Sequence, residues 1–160
     1  MAPVRTGLLA LALLVAAALP ARADITAFIG AATTPDSRRV TGIALGGGFL
    51  IVGFEFEYAS AREVPEEGAP ELRTGMGNVL LQTPGSIAGL QLYLTGGAGG
   101  YRERLGSDQE TNVGVNTGGG VKISLAGPLR LRLDYRAFRL NGNPRHAVVH
   151  RIYAGANLGF

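Results

Sequence analysis

The sequence predicts an all-β chain folded as an eight-stranded antiparallel up-and-down transmembrane β-barrel. Three observations lead there. Apolar residues recur with a period of two over stretches of about ten residues, as in a strand with two unlike faces. Turn chemistry separates eight such stretches. The connections alternate between longer polar segments and short runs of Gly, Pro and Ser, which fits a barrel with loops on one rim and tight turns on the other.

The segment ahead of the first strand reads differently. MAPVRTGLLALALLVAAALPARA contains Arg5, an unbroken apolar run from Gly7 to Leu19, and Ala21-Arg22-Ala23 as a small-x-small cleavage site. That is the layout of a secretory signal peptide, residues 1–23. The apolar run is shorter than the ~20 residues of a membrane helix, so cleavage rather than anchoring is expected. The remaining chain, 24–160, is long enough for one domain. With Arg5 and Arg22 gone it carries 13 basic against 12 acidic residues, so its charge gives no reason to expect a nucleic-acid partner. The chain has no cysteine, so an exported fold must rest on packing and hydrogen bonds.

The strands run in order along the chain. ITAFIGAA (25–32) closes at Pro35-Asp36-Ser37, a turn signature. VTGIALG (40–46) is separated by Gly47-Gly48 from FLIVGFEFEYASA (49–61). REVPEEGAPE (62–71), with two prolines and four glutamates, reads as a solvated loop. LRTGMGNVLLQT (72–83) turns at Pro84-Gly85-Ser86 into AGLQLYLTGGAGGYRER (88–104). LGSDQE (105–110) is the third polar loop, TNVGVNTGGGVKISLA (111–126) turns at Gly127-Pro128, and LRLRLDYRAFRL (129–140) leads through NGNPR to HAVVHRIYAGANLGF (146–160).

Parity separates two faces. Leu129, Leu131, Leu133 and Tyr135 alternate with Arg130, Arg132, Asp134 and Arg136; Phe54, Phe56 and Tyr58 alternate with Glu55 and Glu57. In a membrane barrel the apolar set faces lipid and the charged set the lumen. A soluble barrel that holds an apolar ligand would invert this. The leader, the missing cysteines, the uneven loops and the last strand favour the membrane barrel.

On these features the chain resembles the small eight-stranded outer-membrane barrels of Gram-negative bacteria, of the OmpA-barrel and OmpX type. The most specific part is the last strand, where Tyr153, Gly155, Leu158 and Phe160 match the family's terminal assembly signal. The resemblance implies an outer-membrane location, recognition by the barrel-assembly machinery, contact with outer-membrane lipid and lipopolysaccharide, and a monomer.

An eight-stranded barrel has room inside only for side chains. Buried charges there must pair, so Glu55, Glu57, Lys122, Arg130, Arg132, Asp134, Arg136 and Arg151 are expected to form a plugging network. A narrow ion gate, as in the resembled family, is the second reading of the same residues. Arg38, Arg39, Arg62, Arg102, Arg104 and Arg145 fall near the loop rim, where guanidiniums suit lipopolysaccharide phosphates.

Enzymatic chemistry finds little support. His146 and His150 lie by the last loop, where a lipid-modifying outer-membrane enzyme would place them, but neither has a neighbouring Ser or carboxylate in sequence. Ser107 and Asp108 are the spatial partners to check. GGAGG (96–100) and GGG (118–120) lack the Lys-Ser pair and helix of a phosphate loop, and no His/Cys/carboxylate set has metal-ligand spacing. The expected role is therefore structural or surface-interacting, without catalysis, cofactor or metal.

Overall fold

A computed structural model describes residues 22–160; residues 1–21 of the expected leader lie outside the described residues. The strands are β1 (Arg22–Ala32), β2 (Arg38–Phe49), β3 (Val52–Ala61), β4 (Glu71–Gln82), β5 (Leu90–Leu105), β6 (Asp108–Ala126), β7 (Leu129–Leu140) and β8 (Val148–Gly159). Each pairs antiparallel with the next, and β8 pairs back to β1 from Asp24↔Gly159 to Ala32↔Arg151, closing the barrel. Backbone hydrogen bonds between Ala23 and Phe160 (2.9 and 2.8 Å) continue this pairing into the last two residues of the expected leader, Arg22 and Ala23, which β1 includes in the uncleaved chain. Closure leaves no free sheet edge.

Three connections differ from the sequence reading. The β2–β3 turn falls at Leu50-Ile51, with Leu50 at φ 52°, and not at Gly47-Gly48. The strand runs on through Gly46, Gly47 and Gly48, of which the inward Gly46 and Gly48 make room inside: a Cβ on Gly46 would meet the Asp24 carboxylate at 2.9 Å, and one on Gly48 the Gln82 amide at 2.9 Å. The expected third loop is a two-residue turn at Gly106-Ser107, since β5 and β6 keep pairing as far as Leu105↔Asp108. Gly106 supplies the positive φ (60°) such a turn needs. On the other rim the β4–β5 connection runs over 83–89 instead of a tight Pro-Gly-Ser turn. Long loops therefore remain at 33–37, 62–70 and 141–147, all on the rim opposite the chain ends.

Burial alternates along each strand and points the polar face inward. Phe54 is 66% exposed, whereas Arg132 and Arg136 are 0% exposed. Ile29, Ile43, Leu45, Phe56, Val79, Leu81, Leu92, Leu94 and Ile152 join Phe54 in an outward apolar belt. So much exposed apolar area is unfavourable in water and favourable in hydrocarbon.

Toward the loop rim the polarity reverses. Val40, Ala61, Leu72, Phe138, Leu140 and Val149 turn inward as a packed apolar layer, while Arg39, Arg62, Arg73, Arg102, Arg104 and Arg139 turn outward. This part of the barrel is built like a water-soluble one and extends beyond the belt.

Inward glycines set how closely the strands approach. A Cβ on Gly30 would lie 2.1 Å from the Ile152 carbonyl oxygen and 2.5 Å from Tyr153 Cβ. Gly30→Val should lower stability by ~1–3 kcal/mol through overpacking. Outward Gly75, whose nearest neighbour would be Phe56 at 3.9 Å, should accept alanine within ~0.5 kcal/mol. Urea unfolding of the refolded protein followed by circular dichroism measures both.

Candidate functional site

The lumen is filled in three layers. Its centre comes from β7, where inward positions 132, 134 and 136 read Arg, Asp, Arg, so one carboxylate lies between two guanidiniums. Arg132 donates from Nη2 to Asp134 Oδ2 (2.9 Å) and from Nε to the Tyr93 hydroxyl (2.7 Å), and it also grips Glu55. Arg136 donates from Nε to Asp134 Oδ1 (3.0 Å) and from Nη2 to Glu55 Oε1 (2.7 Å), and its Nη1 lies 3.2 Å from Glu57 Oε2. Arg151 of β8 donates to Glu57 Oε1 (2.7 Å) and to the Thr74 hydroxyl (3.1 Å).

Tyrosines complete the set. The Tyr93 hydroxyl donates to Asp134, and the Tyr153 hydroxyl donates to Glu57 Oε2 at 3.3 Å. Ring faces cover the cations: Arg132 Cζ lies 4.9 Å from the Tyr93 centroid and Arg151 Cζ 4.3 Å from that of Phe138. Three guanidiniums meet three carboxylates, so the centre is neutral and every member is paired.

Below it, toward the chain ends, Lys122 forms an ion pair with Asp24, and Arg130 Nη1 reaches Gln91 Oε1 at 3.4 Å. These groups border a cavity of about 30 Å³, room for little more than a water. Above the centre lies the apolar layer, and the loops are tied across it. The Tyr101 hydroxyl donates to the Asn141 carbonyl (2.5 Å), and the Arg145 amide donates to Glu103 (2.9 Å).

The expected network residues divide. Glu55, Glu57, Arg132, Asp134, Arg136 and Arg151 come together, Lys122 has its own partner, and Arg130 stands apart at the rim of the chain ends, with Gln91 instead of a glutamate. The rim arginines divide as well. Arg38 is not an outward contact: it shares the inward parity of Val40, is 3% exposed, and bonds the carbonyls of Pro70 and Thr34. Arg145 pairs with Asp108 at 3.1 Å and Arg104 with Glu71 at 3.1 Å, while Arg39 and Arg102 are exposed.

His150 hydrogen-bonds the Tyr135 hydroxyl through Nδ1 (2.8 Å). Ser107 sits in the β5–β6 turn, and Asp108 is held by Arg145. Asp24, Thr74, Phe28 and Phe138 join the lumen without a charge alternation in the sequence that singles them out. Counting parity through Ala137 would have turned Phe138 and Leu140 inward and Arg139 outward.

A closed antiparallel barrel with an apolar outer belt and an ion-paired polar centre is the architecture of a transmembrane β-barrel. Comparison with solved structures narrows this to the fold of the small eight-stranded outer-membrane barrels. The N-terminal barrel domain of Pseudomonas aeruginosa OprF is 16% identical with a TM-score of 0.66, the match covering 87% of this chain and 97% of that one. Neisserial surface protein A is 16% identical with a TM-score of 0.68, covering 88% and 97%. The outer-membrane enzyme PagL is 12% identical with a TM-score of 0.55, covering 84% and 98%. No family model matches the sequence, and no curated protein matches it. A surface protein and an enzyme share this fold, so function must be argued from the residues.

Removing one partner from the centre should be costly, because the others stay buried and charged. Glu55→Ala, which leaves three buried guanidiniums sharing two carboxylates, should lower stability by ~3–5 kcal/mol. Arg130→Gln, outside the cluster, should cost under ~1 kcal/mol. Urea midpoints of protein refolded into the same lipid would record both.

Proposed function

We propose that the protein is a non-conducting, non-enzymatic outer-membrane barrel with a structural or surface-interaction role, exported by a signal peptide over residues 1–23. The observation that carries this reading is the neutral, closed lumen beneath an apolar layer. An ion path needs charge or water left unmatched along the axis. Here guanidiniums and carboxylates cancel within hydrogen-bond distance, and aromatic and aliphatic side chains cover them.

The outward belt supports the membrane location over a soluble ligand-binding barrel, whose apolar residues would line the interior. Along β8 Tyr153 and Gly155 face inward in the middle of the barrel and Leu158 and Phe160 outward, and the strand finishes on the rim we assign to the periplasm. There the assembly machinery would read the strand as β8 pairs with β1. The charged, knitted rim then faces outside, in contact with lipopolysaccharide. In this reading His150 and Tyr135 form an interfacial pair with no catalytic role.

Two measurements test the proposal. The purified protein in planar bilayers should give no channel events, and discrete openings abolished by Arg132→Ala would favour an ion gate instead. Deleting Phe160 should leave export intact but sharply reduce the heat-modifiable, membrane-inserted form; normal assembly of the truncated chain would remove the role assigned to the last strand.

A further inference from the structure

Glycine is poorly suited to strand interiors, and where it persists another group commonly approaches. The inward glycines of β5 fit that rule within the chain: a Cβ on Gly97 or Gly99 would lie 2.0–2.3 Å from the β4 backbone. The outward glycines of the same two strands do not. At Gly75, Gly77, Gly96 and Gly100 the nearest atom to an added Cβ would be 3.7–4.0 Å away, an ordinary contact. Nothing in the barrel requires glycine there.

These positions adjoin. Gly75 pairs with Gly100, Gly77 with Ala98 and Val79 with Gly96, making a two-strand floor almost without side chains. Phe56 stands beside Gly77 and Tyr58 beside Gly75 as one wall; Val113 beside Gly100 and Val115 beside Ala98 form the other. Leu45, Phe54 and Phe56 line the lower depression of this face, around Gly77, Gly96 and Ala98, and the Phe56 ring, 3.9 Å from a Cβ placed on Gly75, stands between it and an upper depression around Gly75 and Gly100.

The mouth of the groove is basic. Arg73 and Arg102, cross-strand partners, stand directly above Gly75 and Gly100 and line its upper end with Tyr58 and Thr111. Arg39, Arg62 and Arg104 continue the patch, whose carboxylates are Glu63 and Glu71; Glu71 is shared by Arg73 (2.7 Å) and Arg104 (3.1 Å), so the five guanidiniums outnumber the carboxylates and Arg102 has no carboxylate partner among the described residues. The outward rim residues of β6, β7, β8 and β1 include Thr111, Arg139, Val148 and Ala31, so the positive charge is concentrated on β2–β5. From Arg73 to Val79 the strand runs about 20 Å. At a ~45° tilt that descends about 14 Å, close to one leaflet of a ~30 Å hydrocarbon core.

We infer that this face holds a phosphate-bearing lipid of the outer leaflet, with an acyl chain in the Gly75/Gly77/Ala98/Gly100 groove and its phosphate on Arg73 and Arg102. The inference rests on the outer-membrane reading. Guanidiniums recognise phosphate by paired hydrogen bonds, and a floor without side chains lets a straight chain lie against the sheet. A second copy of the barrel is disfavoured as occupant, because each copy would bring its own arginine patch to the contact.

The test uses full-length protein extracted from outer membranes in mild detergent, with bound lipid read by native mass spectrometry. Each variant is first checked for heat-modifiable mobility, which fails only if the barrel reading itself is wrong or the variant is unfolded. Wild type should retain one bisphosphorylated lipid A in preference to its dephosphorylated form and to phosphatidylethanolamine. Arg102→Gln should weaken retention about tenfold, the loss of a charge-assisted contact. Gly77→Leu, which the barrel has room for, should displace the lipid, with Ala98→Leu as the substitute if the first variant misfolds. Arg139→Gln, on the far side, should change nothing. Equal retention by folded wild type, Arg102→Gln and Gly77→Leu would overturn the inference. So would indifference to the phosphates, or a dimer mass that Gly77→Leu abolishes.

Discussion

Three guanidiniums at the centre of an eight-stranded barrel are the constraint on which the rest depends. The interior is too narrow for water to solvate them, so each must find carboxylates, hydroxyls or ring faces within the sheet. That requirement fixes register, because a slip of one residue on β3 or β7 would turn Glu55, Glu57, Arg132 and Arg136 outward into the apolar belt. The network therefore acts as a specificity device for strand order as much as a source of stability. Inward glycines such as Gly42 and Gly155 belong to the same solution, since they leave the space in which Phe28 stacks on Tyr153 at 4.0 Å.

The outside answers to a different solvent. Leu, Ile, Val and Phe make the belt, and the reversal toward the loop rim marks where the chain leaves it. Above that line β4, β5 and β7 carry arginine outward and Leu72, Tyr101, Phe138 and Leu140 inward. One set of strands thus obeys two opposite patterning rules along its length, divided by position along the barrel axis.

Much of this was legible in the sequence, because a period of two is a local signal. Phe54 to Tyr58 and Leu129 to Arg136 report their faces directly, and the central cluster is their sum. The errors have local causes too. Gly47-Gly48 looks like a turn because glycine permits one, but whether it makes one depends on what lies opposite, here strand partners on β1 and β3 and, inside, the Gln82 amide against Gly48. LGSDQE looks like a loop because it is polar, yet outward polar residues above a membrane fit a strand equally well. Arg130 and Arg132 share a face, but they lie one inward step apart along β7, and that difference in depth puts one beside Gln91 and the other beside Glu55.

The upward extension of β5 and β6 changes what the protein offers beyond the membrane. Their hairpin closes in two residues, and the neighbouring loops are fastened to the sheet through Arg38, Glu103 and Tyr101. What projects is mostly rigid sheet with a side-chain core of its own. Such a surface offers proteases few extended segments and presents antibodies with a folded shape built from several strands. Short peptides copied from its loops would be poor substitutes for it.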